Sequence, residues 1–383
     1  MLRDPLELCE PIAVDAAYAE VLDALDGQRS LAQVRQSLMM RGIVTVDADD
    51  LEAFVDDLAA AGLLDDDNFR ARWTAVHDEF VELERRPPRR AGLLYPADPA
   101  DLRAWLAPAL PARPGPGAAE DRGPGYGPAP IALVGPHQPP PALAPAWRAL
   151  LSQLPDPSSY ERVVILATDH APGLLPHASA DKDWDTPLGP VACDLELLAK
   201  LDEALPWLLR EQIRLRISDP IEWVTTLLAA LWGERCPPIL PLVCGQTRLT
   251  TREGAARSEE LASSLTELTR EANERGAILW WTAAELSHAG PAFGQPSAPA
   301  PADLERTDRD LLAPLLDGDP ARLAQRCMDR PAPERPSGAA ALTTLARLLP
   351  RGYRARLEAY EAASTPGQLP GLIGCPFISI WPG

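Results

Sequence analysis

Three of the five histidines in this chain come just after a run of β-branched and aliphatic residues. "IALVGPH" ends on His137, "VVILATDH" on His170, and "AILWWTAAELSH" reaches His288. Neutral imidazole is a common ligand for borderline transition metals and a proton shuttle near neutral pH. Three such rings at one topological position would therefore suit metal binding or acid/base work. Asp169 and Glu285 lie beside two of them, and a carboxylate there could orient a ring or add an oxygen ligand. Taken singly, each histidine also reads as an ordinary hydrogen-bonded loop residue. His77 reads as a packed or solvated helix residue, and His177, in "LLPHASADKDWDTPLG", as a solvent-facing one.

The positioning elements are short apolar strands alternating with amphipathic helices. Candidate strands are 131–135, 163–168, 238–245 and 277–282. The helices include "ADLRAWLAPAL", "LELLAKLDEAL", "IEWVTTLLAALWG" and "SEELASSLTELTREANERG". This alternation predicts an α/β fold, a largely parallel or mixed sheet sandwiched by helices. In open α/β sheets the carboxyl ends of the strands share the ligand-binding edge, so the three histidines are expected to converge. The stretch 111–130, rich in Pro and Gly, reads as a long surface loop.

Residues 1–67 read as a separate small α+β domain. Apolar positions at helical spacing (Val21, Leu22, Leu25; Leu51, Phe54, Val55, Leu58, Leu63) predict three short helices. Their stops fall near Gly27, Gly42 and Gly62, with Ser30 and Asp47 or Asp49 as N-caps. "GIVTV" reads as a strand between the second and third helices, which gives a winged-helix sketch. This segment holds 16 acidic residues against four arginines, a balance of −12, and the whole chain carries −19. Phosphates would be repelled, so a nucleic-acid partner is excluded, and a peptide or protein partner is expected instead. Residues 68–88 form a helical connector, and 89–383 the main domain.

Six scattered cysteines without a CxxC pair signal neither a zinc site nor a disulfide framework. The acidic N-terminus lacks the pattern of a secretory signal, and no apolar run is long enough for a membrane span, so a cytoplasmic location is expected. P-loop, GxGxxG and GxSxG motifs are absent.

The order of several segments resembles the Memo family, which includes AmmeMemoRadiSam system protein B. "RRAGLLYPADPADLRAWL" (89–106) is similar to its opening "AGxWYP", "IALVGPHQPP" to "PHAGY", and "VVILATDHAP" to "LGPSHH". "DTPLGPVACDLELLAKL" is similar to "TPLG…vD…L" and "AAELSHAG" to "SSDFxHxG". The similarity runs over 89–383 and implies the fold of the type III extradiol dioxygenases. It implies a metal-dependent oxidoreductase holding Fe(II) or copper. His137 and His170 would be ligands, His288 the acid/base histidine, and Glu285 a replacement for the family's aspartate.

The family's cysteine ligand falls on Ala332 in "APERPSG" (332–338). Glu334, two residues on, would complete a two-histidine-one-carboxylate set for ferrous iron, while Cys327 would need a rebuilt loop. Gln138, Pro139 and Pro140 alter the wall after His137. "HSIE" becomes "DPIE", which keeps Glu222 as a pocket carboxylate and puts Asp219 in place of a histidine. The alternative is a non-catalytic peptide- or protein-binding scaffold with a degenerate pocket. Residues 1–67, similar to PqqD-like peptide-binding domains, would take the partner.

Overall fold

Val163–Ala167, Leu133–Val134 and Leu279–Trp281 are shielded from water on both faces, and this double burial is what makes their sequences continuously apolar. The computed structural model describes residues 1–15, 18–42, 47–112, 129–171, 173–246, 250–331, 335–365 and 367–383. Within them the strands are β1 (Arg85–Arg86), β2 (Ala132–Gly135), β3 (Arg162–Thr168), β4 (His177–Ser179), β5 (Asp183–Trp184), β6 (Ile239–Cys244), β7 (Ile278–Ala283), β8 (His288–Ala289), β9 (Arg354–Ser364) and β10 (Leu372–Trp381). Eight of them form one sheet in the order β4-β6-β3-β7-β2-β10-β8, with β9 paired to β10. β1 and β5 form a separate two-stranded ladder.

The four central strands β6, β3, β7 and β2 are mutually parallel, as the helix–strand alternation predicts. β4 joins β6 antiparallel, and β10 joins β2 antiparallel. The sheet is therefore mixed. The β9–β10 hairpin is a finding that the alternating pattern does not announce. "RARLEAYEAAS" is made largely of good helix formers, and "LIGCPFISIW" carries a glycine and a proline inside a strand. Tertiary pairing overrides both local signals.

Alternate residues of β7 serve opposite layers. Trp280 enters the cluster that includes Val164, Leu198, Leu261 and Leu342. Trp281 faces Trp147, whose ring also meets Phe377 edge-on at 5.3 Å. Helices such as Leu195–Ala204, Arg252–Leu268 and Ala339–Leu348 cover the first of these faces.

His177 corrects a sequence expectation. It is fully buried on β4, with Nε2 3.1 Å from Ser258 Oγ, rather than solvent-facing in a loop. Its polar neighbours in "HASADKDWD" hide a strand only three residues long. Burial, followed by the charges of Arg214 and Arg347, lowers its pKa from 6.5 to about 3. Because the folded value lies below the unfolded one, the unfolded chain takes up the proton first. The stability contributed by His177 is thus complete above pH 6.5 and lost as pH falls towards 3, on the order of a few kcal/mol. Urea unfolding of His177→Gln should show a flatter acid limb than wild type, and an unchanged slope would contradict the assignment.

The chain divides into two compact units, Met1–Glu82 and Leu83–Gly383. In the first, helices Ala19–Ala24, Leu31–Met40 and Ala48–Ala61 enclose Val21, Ala24, Val34, Leu38 and Leu51, with Tyr18 and Phe54 packed beside them. Ser30 forms a full capping box with Gln33, and Asp47 caps the third helix. Gly62 closes that helix at φ +78°, where a side chain would be strained. A fourth helix, Asp67–Glu82, carries His77 stacked on Trp73. Residues 43–46, which hold most of the expected wing strand, lie outside the described residues. So do 113–128 of the expected surface loop. Among the described residues no helix is long and apolar enough to cross a membrane.

Candidate functional site

β3, β7 and β2 are adjacent and parallel, so the segments leaving their carboxyl ends emerge side by side. β2 delivers His137, β3 delivers His170, and β7, between them, delivers Glu285 and then His288 on β8. The Nε2 atoms of His137 and His170 stand 3.0 Å apart. Glu285 Oε1 lies 3.5 Å from His137 Nδ1, and its Oε2 lies 3.4 Å from His288 Nε2. The three histidines that follow strands therefore share one site, with Glu285 between two of them.

The carboxylate of Glu285 is almost wholly buried and has a built seat. Its Oε1 accepts hydrogen bonds from the His137 backbone N–H and from Gln138 Nε2, at 3.2 and 2.9 Å. Burial by itself would raise its pKa. The charge interaction with His137 and the hydrogen bonds from His288 and Gln138 outweigh it and hold the group at about 2. Glu285 is a carboxylate at any ordinary pH. Gln138, which the sequence marks only as an altered wall residue, is one of the donors that keep it so.

His137 is lowered in pKa by burial and by the nearby His288, against the pull of Glu285. His170 is solvent-exposed at the rim. Its pKa is lowered as well, to about 4, first by loss of solvation and then by His137. Both rings are neutral near pH 7, the form that binds metals. Two neutral rings 3.0 Å apart can share one proton between their Nε2 atoms, or turn two lone pairs towards one acceptor. His288 donates through Nδ1 to the Leu286 carbonyl at 3.2 Å while Nε2 faces Glu285. Both nitrogens thus face acceptors. Phe293 stands edge-on to this ring at 4.8 Å and is partly exposed, forming an apolar lip.

The donor chemistry fits two positions of a borderline metal. His137 Nδ1 is buried 3.5 Å from Glu285 Oε1 and forms no hydrogen bond among the described residues. That is the carboxylate–histidine relation which leaves Nε2 free as a ligand. Among the described residues no group of three or more His, Cys, Asp or Glu is arranged to hold a metal ion. Ala332 and Glu334 lie outside the described residues. The residues just after them are tied to the site: Gly338 N–H donates to the Glu285 carbonyl at 2.9 Å, and Ser337 N–H to Leu286 at 3.3 Å.

Three carboxylates named from the sequence have other partners. Asp169 is ion-paired with buried Arg214 and accepts from the Ala171 N–H. Glu222 is bonded to Arg86, the Arg89 and Arg90 N–H groups and the Tyr95 hydroxyl, and Asp219 to Arg90. None of these described partners belongs to the histidine cluster. Cys327 is a core residue whose thiol burial pushes up to about 12, far from a ready metal ligand. Arg214 has no distinguishing signal in "EQIRLRISD", where a second arginine, Arg216, stands two positions on.

Residues 86–334 match the family model described as "Memo-like protein". A MEMO1 family protein of Thermus thermophilus is 30% identical over 296 residues, which cover 76% of this chain and 82% of that relative. A MEMO1 family protein of Aquifex aeolicus is 21% identical over 327 residues, covering 85% of this chain and 81% of that one.

Proposed function

This chain belongs to the Memo-like family, and from that premise we propose that the His137–His170 pair holds a transition metal, Fe(II) or copper, in a metal-dependent oxidoreductase acting on a small molecule or peptide. The observation that carries the reading is the meeting of the two Nε2 atoms at 3.0 Å, with Glu285 seated behind His137. The metal, when bound, would supply Lewis-acid and redox chemistry at that point. Glu334 is the proposed third ligand. The proposal includes kinship with the type III extradiol dioxygenases, a PqqD-like winged-helix character for the N-terminal unit, and a cytoplasmic location.

The chain's own groups have distinct tasks in this reading. Glu285 orients His137 from behind and so fixes which nitrogen faces the opening. His288 holds a proton at Nε2 beside Glu285, and passes it to or takes it from a substrate entering past His170 and Phe293. Phe293 excludes water from one side of the ring. Asp169, clamped by Arg214, fixes the backbone that carries His170.

Ala332, at the family's cysteine position, favours a second reading: a degenerate pocket on a scaffold whose N-terminal unit takes a peptide or protein. One measurement separates the two. Purified protein is reconstituted anaerobically with ferrous iron, and separately with copper, then analysed for metal beside His137→Ala and His170→Ala. About one equivalent in wild type, lost in both variants, is expected, and Glu334→Ala should lower it. Wild type that retains no more metal than the variants would sink the metal reading.

A further inference from the structure

We infer that Asp308 is a positioning residue for the Glu285–His288 pair, acting through Ser287. Asp308 lies on the helix Pro301–Leu316 and is fully buried. Its Oδ1 accepts from Ser287 Oγ at 2.5 Å. Its Oδ2 accepts from the Tyr360 hydroxyl at 2.7 Å and from the Ser287 N–H at 3.4 Å. Among the described residues no arginine or lysine is ion-paired with it. Burial raises its pKa, against the hydrogen bonds of Ser287 and Tyr360.

The neighbours of Asp308 on that helix face are Leu304, Leu311, Leu312 and Leu315, all in the core. A leucine at 308 would continue that face, and replacing a whole buried polar set, here Asp308 with the Ser287 and Tyr360 hydroxyls, by packed apolar groups is often neutral or stabilising. Folding alone therefore gives little reason for a carboxylate here. The backbone has also made room for it. A Cβ on Gly374 would stand 1.9 Å from Asp308 Oδ2 and 2.7 Å from the Tyr360 hydroxyl, so β10 carries glycine where the network passes.

What the network holds is the two-residue span between the pocket's acid/base groups. Ser287 separates Leu286, whose carbonyl accepts from His288 Nδ1, from His288 itself. Its peptide is pinned on the strand side by Leu286 N–H to the Gly374 carbonyl and Gly374 N–H to the Ser287 carbonyl, each 2.8 Å. These main-chain bonds fix the height of the segment, and the Ser287 side chain, held by Asp308, fixes its rotation. That rotation decides whether the His288 ring faces Glu285.

The inference rests on the proposed acid/base role of Glu285 and His288, but its test needs neither metal nor turnover. Full-length, metal-free protein labelled with ¹⁵N-histidine is compared as wild type, Asp308→Ala, Asp308→Asn and Ser287→Ala, with the His288 ring signals assigned by His288→Gln. Asp308→Ala and Ser287→Ala should displace the His288 ring correlations while those of His77 and His177 stay in place. Asp308→Asn, which keeps an acceptor for Ser287, should restore them in large part. If Asp308→Ala does not fold, Ser287→Ala, which deletes one hydroxyl, gives the same reading. Unmoved His288 signals in a folded variant, or equal movement of His177, would overturn the inference. Metal uptake by wild type is measured separately. Displaced His288 signals in a protein that takes up no metal would support the positioning role and reject the metal reading.

Discussion

Arg214→Ala is expected to lower the unfolding free energy by about 3–5 kcal/mol, the usual cost of leaving one side of a buried ion pair uncompensated. The guanidinium and the Asp169 carboxylate are both almost completely shielded from water. Nε donates to Asp169 Oδ2 at 2.7 Å. Nη1 donates to Glu211 Oε2 at 2.6 Å and to the Leu175 carbonyl at 2.9 Å. Burial favours the neutral form of the guanidinium, but the two carboxylates outweigh it and raise its pKa. Removing the side chain strands Asp169, one residue before His170, and frees the loop after β3. A Cβ at Gly173 or Gly245 would stand 2.5 or 2.9 Å from the guanidinium, so a substitution at either glycine would push on the ion pair. Arg214→Lys should recover little, because an ammonium cannot reproduce the fork. Denaturant unfolding and metal uptake at His170 should fall together. A loss under about 1 kcal/mol, in the range of exposed pairs, would show that the pair does not tie the loop down.

Glu222→Ala should cost a similar amount, about 3–5 kcal/mol, for a different part of the fold. Arg86 is fully buried, with its guanidinium 4.7 Å over the Trp184 ring. Its charge partner is Glu222. The same carboxylate accepts from the Arg90 N–H at 2.8 Å and the Tyr95 hydroxyl at 2.5 Å, so it latches residues 86–95 onto the helix Asp219–Trp232. Burial and this carboxylate both push the Tyr95 phenol up, keeping it a donor. Glu222→Gln keeps the shape and loses the charge. It should fall between wild type and alanine in a denaturant titration. Equal stability of Glu222→Ala and wild type would mean that the latch is held by packing alone.

The same two clusters show what was legible. The ends of β2, β3 and β7 could be placed from apolar runs that stop at ionisable residues, and their parallel pairing from the helices between them. His137, His170, Glu285 and His288 followed from that placement, because strand ends in a parallel sheet share an edge. Asp169 and Glu222 show the limit. Each carboxylate was visible beside a candidate motif, but its partner is 45 positions away in Arg214 and 136 away in Arg86. A local window holds no information at that range. His177 escapes a local reading because polar neighbours mask a strand of three residues. The β9–β10 hairpin escapes it because its residues have the wrong local propensities.

The class of fold, the parallel core, the caps of the N-terminal helices and the candidate residues for chemistry are written locally in the chain. These follow from periodicity and residue type, which act over a few positions. Long-range packing places β7 between β2 and β3, so that Glu285 sits behind His137. It also decided which carboxylates are bound by arginines, and that Asp308 on a remote helix holds Ser287. Those choices depend on strand order and on how buried charges find partners. The low dielectric of the interior makes an unpaired charge costly enough to fix the pairing, and chain separation has no bearing on that cost.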